Sequence, residues 1–215
     1  IRRPPRSSLS SSSAASDVYK RQTIAGTGES GFYGDGGPAS EAAFRDPCAL
    51  ATDKEGNLYI ADGANNLIRK IDTKGIVSTI AGNGKHDNAG DGGPALEASI
   101  RNMDYLKVSP KGELHIVGMN SNMIRKVTSD GKIVKVAGRG YQGYSGDGGP
   151  ATKAMLKSPL AIAFDSKNNM YITDMGNNRI RKVDANGIIS TFAGTGNFGW
   201  AQDGETVEIY LHKFP

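Results

Sequence analysis

One interval governs this chain. Gly-Asp-Gly-Gly-Pro-Ala begins at Gly34, Gly90 and Gly146, and Ile-Arg-Lys begins at Ile68, Ile124 and Ile180. An Ala-Gly pair closes a β-rich run at Gly26, Gly82, Gly138 and Gly194. Every spacing is 56 residues. A fixed period of this size means that one supersecondary unit is copied and stacked, because a single unit cannot bury its apolar face alone. Each local motif therefore has to be read once per copy.

Within a copy, short β-branched and aromatic runs alternate with turn chemistry. Strands are predicted over Cys48–Asp53, Leu58–Ala61, Leu67–Ile71 and Ile76–Ala81, with breaks at Lys54-Glu55-Gly56, Asp62–Asn66 and Lys74-Gly75. The second copy repeats them at Tyr105–Ser109, Leu114–Val117, Met123–Val127 and Lys132–Ala137. The third does so at Leu160–Asp165, Met170–Thr173, Arg179–Val183 and Ile188–Ala193. Four antiparallel strands joined by tight turns make one propeller blade. A blade of about 40–45 residues is complete, so the surplus falls in the long connection that carries Gly-Asp-Gly-Gly-Pro-Ala. The fold class expected is all-β: a β-propeller of four-stranded antiparallel blades, three of them plus a partial fourth in an incomplete ring.

Pro159–Asp165, Asn57–Asp62 and Asn178–Val183 resemble NHL repeats, and Tyr144–Gly148 resembles the repeat variant of teneurin NHL domains and bacterial secreted NHL proteins. The second copy departs most, with Val117-Gly118-Met119 where the others read Ala61-Asp62 and Thr173-Asp174. The resemblance implies rings of about six blades, an extracellular setting, and long inter-blade connections on a ligand-binding face. The fourth copy decays after Gln202-Asp203-Gly204-Glu205, so the expected parts are a tail over 1–22, blades over 23–204 and a divergent end over 205–215. A piece of a longer propeller is expected, with the remaining blades of the same parent chain as its nearest partners.

Composition removes several function classes. The tail over 1–22 holds five Lys or Arg against Asp17, which accounts for the whole net charge of +4, while 23–215 contains 21 of each sign. A neutral body offers no general attraction to nucleic acid or anionic membrane. No run approaches the roughly 18 apolar residues of a membrane span. The tail, basic and serine-rich with few apolar residues, is expected to be disordered and adaptor-derived. Cys48 is the single cysteine, which excludes an internal disulfide framework. It is expected to be buried on its strand.

Catalytic constellations are missing from the pattern. Gly-x-Gly-x-x-Gly occurs at Gly26, Gly138 and Gly194, but a second glycine turn and a proline follow it, not the long helix a dinucleotide needs. His86, His115 and His212 occupy non-equivalent positions, so no metal cage and no cofactor are expected. Asp35, Asp91 and Asp147 are read as turn caps, with Pro starting one helical turn over Ala39–Phe44. Asn66, Asn122 and Asn178 are read as bonding their own turn backbone. Arg69, Arg125 and Arg181 are expected to pack between blades and pair with Asp62 or Asp174, leaving Arg125 in need of another acid.

Phe32, Tyr33, Tyr141, Tyr144, Phe198 and Trp200 gather in the long connections, where loop aromatics serve as binding hot spots or cover a blade edge. The expected ligand-binding set is Tyr33, Asp35, Asp91, Tyr141, Tyr144, Asp147 and Trp200. The reading is a non-enzymatic scaffold that binds a protein or glycan partner through its inter-blade loops. The alternative is part of a lactonase-like hydrolase or lyase whose metal ligands lie outside this stretch.

Overall fold

A computed structural model describes residues 22–198. The expected tail apart from Gln22, the continuation of the fourth repeat from residue 199, Trp200 and the end over 205–215 lie outside the described residues. Three four-stranded antiparallel sheets follow one another. They are β1 (Pro47–Thr52) to β4 (Val77–Ala81) through β2 (Leu58–Asp62) and β3 (Leu67–Ile71); β5 (Tyr105–Val108) to β8 (Ile133–Ala137) through β6 (Leu114–Gly118) and β7 (Met123–Val127); and β9 (Pro159–Phe164) to β12 (Ile189–Ala193) through β10 (Met170–Asp174) and β11 (Arg179–Val183). Strand order within each sheet is sequential. Each sheet is a blade, and the first strands β1, β5 and β9 pack side by side. The predicted strands are recovered with ends displaced by at most one residue.

The turn between first and second strands is closed by an acid that gathers three donors. In the first blade Asp53 accepts from the Asn57 amide at 2.8 Å, the Asn57 side chain at 2.8 Å and the Tyr59 hydroxyl at 2.9 Å. Asp165, Asn169 and Tyr171 repeat the arrangement in the third. In the second blade Ser109 and His115 stand where the others have Asp and Tyr. The Ser109 hydroxyl still accepts from the Glu113 amide at 3.3 Å. The His115 ring packs edge-on to Phe164 of the next blade, 4.9 Å between centroids.

The connections between blades are structural members. The Gly36 and Ala39 amides donate to the Val77 and Gly75 carbonyls at 2.8 Å each, so the first Gly-Asp-Gly-Gly-Pro-Ala segment runs along the outer edge at β4. Gly92 and Gly148 repeat the bond to Ile133 and Ile189. Each outer edge is thereby covered, which blunts pairing with other chains. A short 3-10 turn follows, over Ala39–Glu41 in the first blade. It is shorter than the helical turn expected over Ala39–Phe44, because the chain becomes extended at Ala42 (ψ 155°) to bury both Ala42 and Ala43. Gly90 shows why glycine opens this segment: at φ +91° an added Cβ would lie 2.9 Å from the Ala98 Cα, so both backbone angle and space exclude a side chain.

The core lies between sheets, not within them. Ala61, Ile68 and Ala81 of the first blade meet Ala95, Ala98, Ile100 and Met103 of the connection, and Leu106, Leu114, Ile116 and Ile133 of the second blade. A matching cluster joins the second blade to the third. Equivalent positions report what covers each face. Leu106 and Ile162 are 2% and 4% exposed beneath the preceding blade, whereas Leu50 is 63% exposed. Cys48 is also exposed, contrary to expectation, at the bulge where the β1–β2 register shifts between Pro47 and Ala49. Its Sγ donates to the Met103 carbonyl at 3.1 Å.

His115 ties the fold to pH. Burial holds the imidazole pKa down to about 4 from its ordinary 6.5. The unfolded chain therefore takes the proton first, and stability present above pH 6.5 is lost as pH falls toward 4. The linkage amounts to about 3 kcal/mol. Denaturant midpoints measured across this window should fall for the native chain and fall less for His115→Phe, which keeps the edge contact with Phe164. Parallel curves would refute the assignment.

Candidate functional site: the inter-blade loop face

A buried arginine in the third strand of each blade fixes the loops. In the first blade Arg69 Nε and Nη2 donate to Asp35 Oδ1 at 3.1 and 2.8 Å, and Nη2 and Nη1 donate to the Tyr33 and Ala43 carbonyls. Arg125 donates to Asp91, Ser99 O and Ala89 O at 2.8, 2.8 and 2.9 Å. Arg181 donates to Asp147 and to the Ser145 and Met155 carbonyls. The three arginine side chains are 0%, 3% and 0% exposed. One planar guanidinium thus ties two points of the connection to the sheet it crosses. The aspartates expected to cap their turns are instead the charge partners of these arginines.

A second acid lies behind the first and third arginines, as the sequence led one to expect. Asp62 and Asp174 are fully buried and approach Arg69 and Arg181 at 3.5 and 3.3 Å. Each also accepts from a loop amide, Arg45 at 2.7 Å and Lys157 at 2.8 Å. Asn65 and Asn177 donate to the same acids at 2.9 and 2.8 Å and to the Gly31 and Gly143 carbonyls. In the second blade the Asp–Asn pair becomes Gly118 and Ser121, with the Ser121 hydroxyl donating to the Gly118 carbonyl at 3.0 Å. Arg125 keeps Asp91 as its acid, which resolves the partner it lacked in the sequence reading. Asn66, Asn122 and Asn178 sit in the left-handed region at φ 51° to 55°. Asn66 and Asn178 bond the following loop at Gly84 and Gly196. Asn122 accepts from the Ser158 amide of the next blade at 2.9 Å.

The predicted binding residues fall into two groups. Tyr144 and Asp147 come together, with the Tyr144 hydroxyl donating to Asp147 at 3.0 Å and lying 2.9 Å from the Thr191 hydroxyl, which itself donates to Asp147 at 2.7 Å. Burial works against the ionised Asp147, but the Thr191 bond, the Arg181 charge and the Tyr144 bond together hold its pKa below the ordinary value. The Tyr144 ring also faces the Arg179 guanidinium at 3.9 Å. Tyr33 turns to Glu29 at 3.0 Å and Thr27 at 3.2 Å. Tyr141 is 67% exposed beneath Arg139, and Phe198 is 95% exposed. Trp200 lies outside the described residues.

Two recesses open at opposite ends of the blades. A cleft of about 340 Å³ lies between the turns that follow the first strands, against Asp53, Lys107, Ser109 and Phe164. A larger recess of about 540 Å³ lies in the loop face of the first blade, against Phe32, Asp35, Arg45, Asn65, Thr79 and Asn83. Sequence reading missed Thr79. Aligning the copies at 56 residues finds it, because Phe32 and Thr79 match Tyr144 and Thr191 of the third blade. Among the described residues no group of three or more His, Cys, Asp or Glu stands ready to hold a metal.

The two layers of acid predict unequal consequences. Arg69→Met strands Asp62 in a dry interior and should cost about 3–5 kcal/mol. Arg125→Met leaves only the partly solvated Asp91 and should cost clearly less. Guanidinium unfolding of both variants checks this, and equal losses would contradict the second-layer role of Asp62.

A profile described as Teneurin NHL domain matches residues 19–89 and 140–205. The gap spans the divergent second copy. Teneurin-m of Drosophila melanogaster is 33% identical over 78% of this chain and 6% of its own length, and Teneurin-3 of Mus musculus 31% over 84% and 7%. The chain thus spans well under a tenth of these relatives. Among solved structures, a Bacteroides thetaiotaomicron protein of unknown function superposes with a TM-score of 0.52 at 25% identity, over 68% of this chain and 35% of that one. An auxiliary nutrient binding protein from Bacteroides ovatus superposes with 0.52 at 16%, over 71% and 37%. The repeat, the blades and these matches agree: the chain belongs to the teneurin NHL domain family of β-propeller proteins.

Proposed function

We propose that this segment is a non-enzymatic propeller scaffold that presents its inter-blade loops to a protein or glycan partner. The observation that carries the reading is the combination of loops locked by buried arginines with aromatics left outside. Tyr33 and Tyr141 are 45% and 67% exposed on connections that Arg69 and Arg181 tie to their sheets. Preorganised loops with exposed rings lose little conformational entropy on binding. Further blades of the same kind are proposed to cover the outer face of the first blade, where Leu50 is exposed while its equivalents are buried, and the last, where Phe192 is 40% exposed.

The test is binding of the fluorescent chain to cultured animal cells. The double variant Tyr33→Ser with Tyr141→Ser should reduce saturable binding by at least about tenfold, the effect expected of hot-spot aromatics. Lys54→Ser with Lys111→Ser, at the opposite end of the blades, should leave it unchanged. Equal binding by both double variants would overturn the assignment of the loop face.

A further inference from the structure

The first and third blades use one position differently. In the third, the Tyr144 hydroxyl, Thr191 and Asp147 close a triangle of hydrogen bonds. In the first, Phe32 replaces the tyrosine, and the triangle has lost its phenol oxygen. The Thr79 hydroxyl is buried and has no hydrogen-bond partner among the described residues. Asp35 uses Oδ1 for both bonds from Arg69, and its Oδ2 accepts no hydrogen bond among the described residues. A buried hydroxyl without a partner has lost its bonds to water and gained none in return, so a group that supplied the missing oxygen would gain what the third blade already has.

The surroundings define what such a group is attached to. Phe32 is 53% exposed, with its ring 4.9 Å from the Arg69 guanidinium. The recess beside it holds Asp35, Arg45, Asn65 and Thr79 within about 540 Å³, the size range of small-molecule sites. An aromatic face takes a ring edged with weakly positive C–H groups, while a carboxylate, a guanidinium, an amide and a hydroxyl serve closely spaced hydroxyls. A pyranose has both features.

We propose that this recess is a saccharide subsite, in which a pyranose lies against Phe32 and one of its hydroxyls enters between Asp35 and Thr79. The inference rests on the loop face being the binding face and names the chemistry at one point of it. The charged and amide groups alone would accept any polar solute. Phe32 restricts the occupant to one with a flat apolar side.

The test is saturation-transfer NMR on the chain with methyl β-D-glucopyranoside, methyl β-D-galactopyranoside and methyl α-D-mannopyranoside, with glycerol as a ringless control. At least one glycoside should bind with a Kd on the order of 1 mM, and glycerol should not. Phe32→Tyr restores the third blade's arrangement; it should raise the melting temperature and weaken the glycoside at least about tenfold, a difference of about 1.4 kcal/mol. Thr79→Val, which keeps the shape, should weaken it several-fold. No transfer to any glycoside, equal transfer to glycerol, or transfer unchanged by Phe32→Tyr would overturn the proposal. Cell binding that still depends on Tyr33 and Tyr141 would then show that the loop-face reading stands without this subsite.

Discussion

The buried arginine of the third strand is the interaction on which the rest depends. A guanidinium with no access to water needs its charge matched and its donors filled, or burial would cost several kcal/mol. Asp35, Asp91 and Asp147 supply the charge, and carbonyls of the same connection fill further donors. The arginine thereby dictates where the connection runs. That path places the 3-10 turn against the neighbouring blade and the glycine segment along the outer edge, so one side chain organises the sheet face, the blade interface and the edge together.

Repetition then shows which parts of the device are required. The arginine and its loop aspartate occur in all three blades, whereas the buried second acid and its asparagine are replaced as a pair by Gly118 and Ser121 in the second. Losing the acid alone would leave the asparagine's bonds to be remade, and losing the asparagine alone would leave a buried carboxylate short of donors. Joint replacement avoids both. Ser109 with His115 is a second paired change in the same blade, and the two together account for a divergent middle copy that still folds to the same pattern.

Most of the architecture was legible from the 56-residue period, because strand runs and turn glycines are local signals and recur in phase. Strand ends, blade identity and the arginine-to-acid attraction followed from it. The pairing of Arg69 with Asp35 was not legible, since 34 residues separate them and Asp in a glycine turn reads as a cap. Cys48 was misplaced because strand membership does not reveal the bulge at which the residue sits. The aromatic cluster was partly legible: Tyr144 proved to be tied to Asp147 and Thr191, while Tyr141 has no such network among the described residues. Thr79 gives no local signal at all and emerges only when the first and third copies are laid over each other.

If the arginines fasten the loop face, it is as rigid as the sheets. Native-state hydrogen exchange at Gly36, Gly92 and Gly148 tests this most directly, because their amides donate to the outer-strand carbonyls of Val77, Ile133 and Ile189. Fastened loops should show opening free energies equal to those of the β3, β7 and β11 amides, so that loops and strands open together. Exchange of the three glycines at free-loop rates, while the strands stay protected, would contradict it.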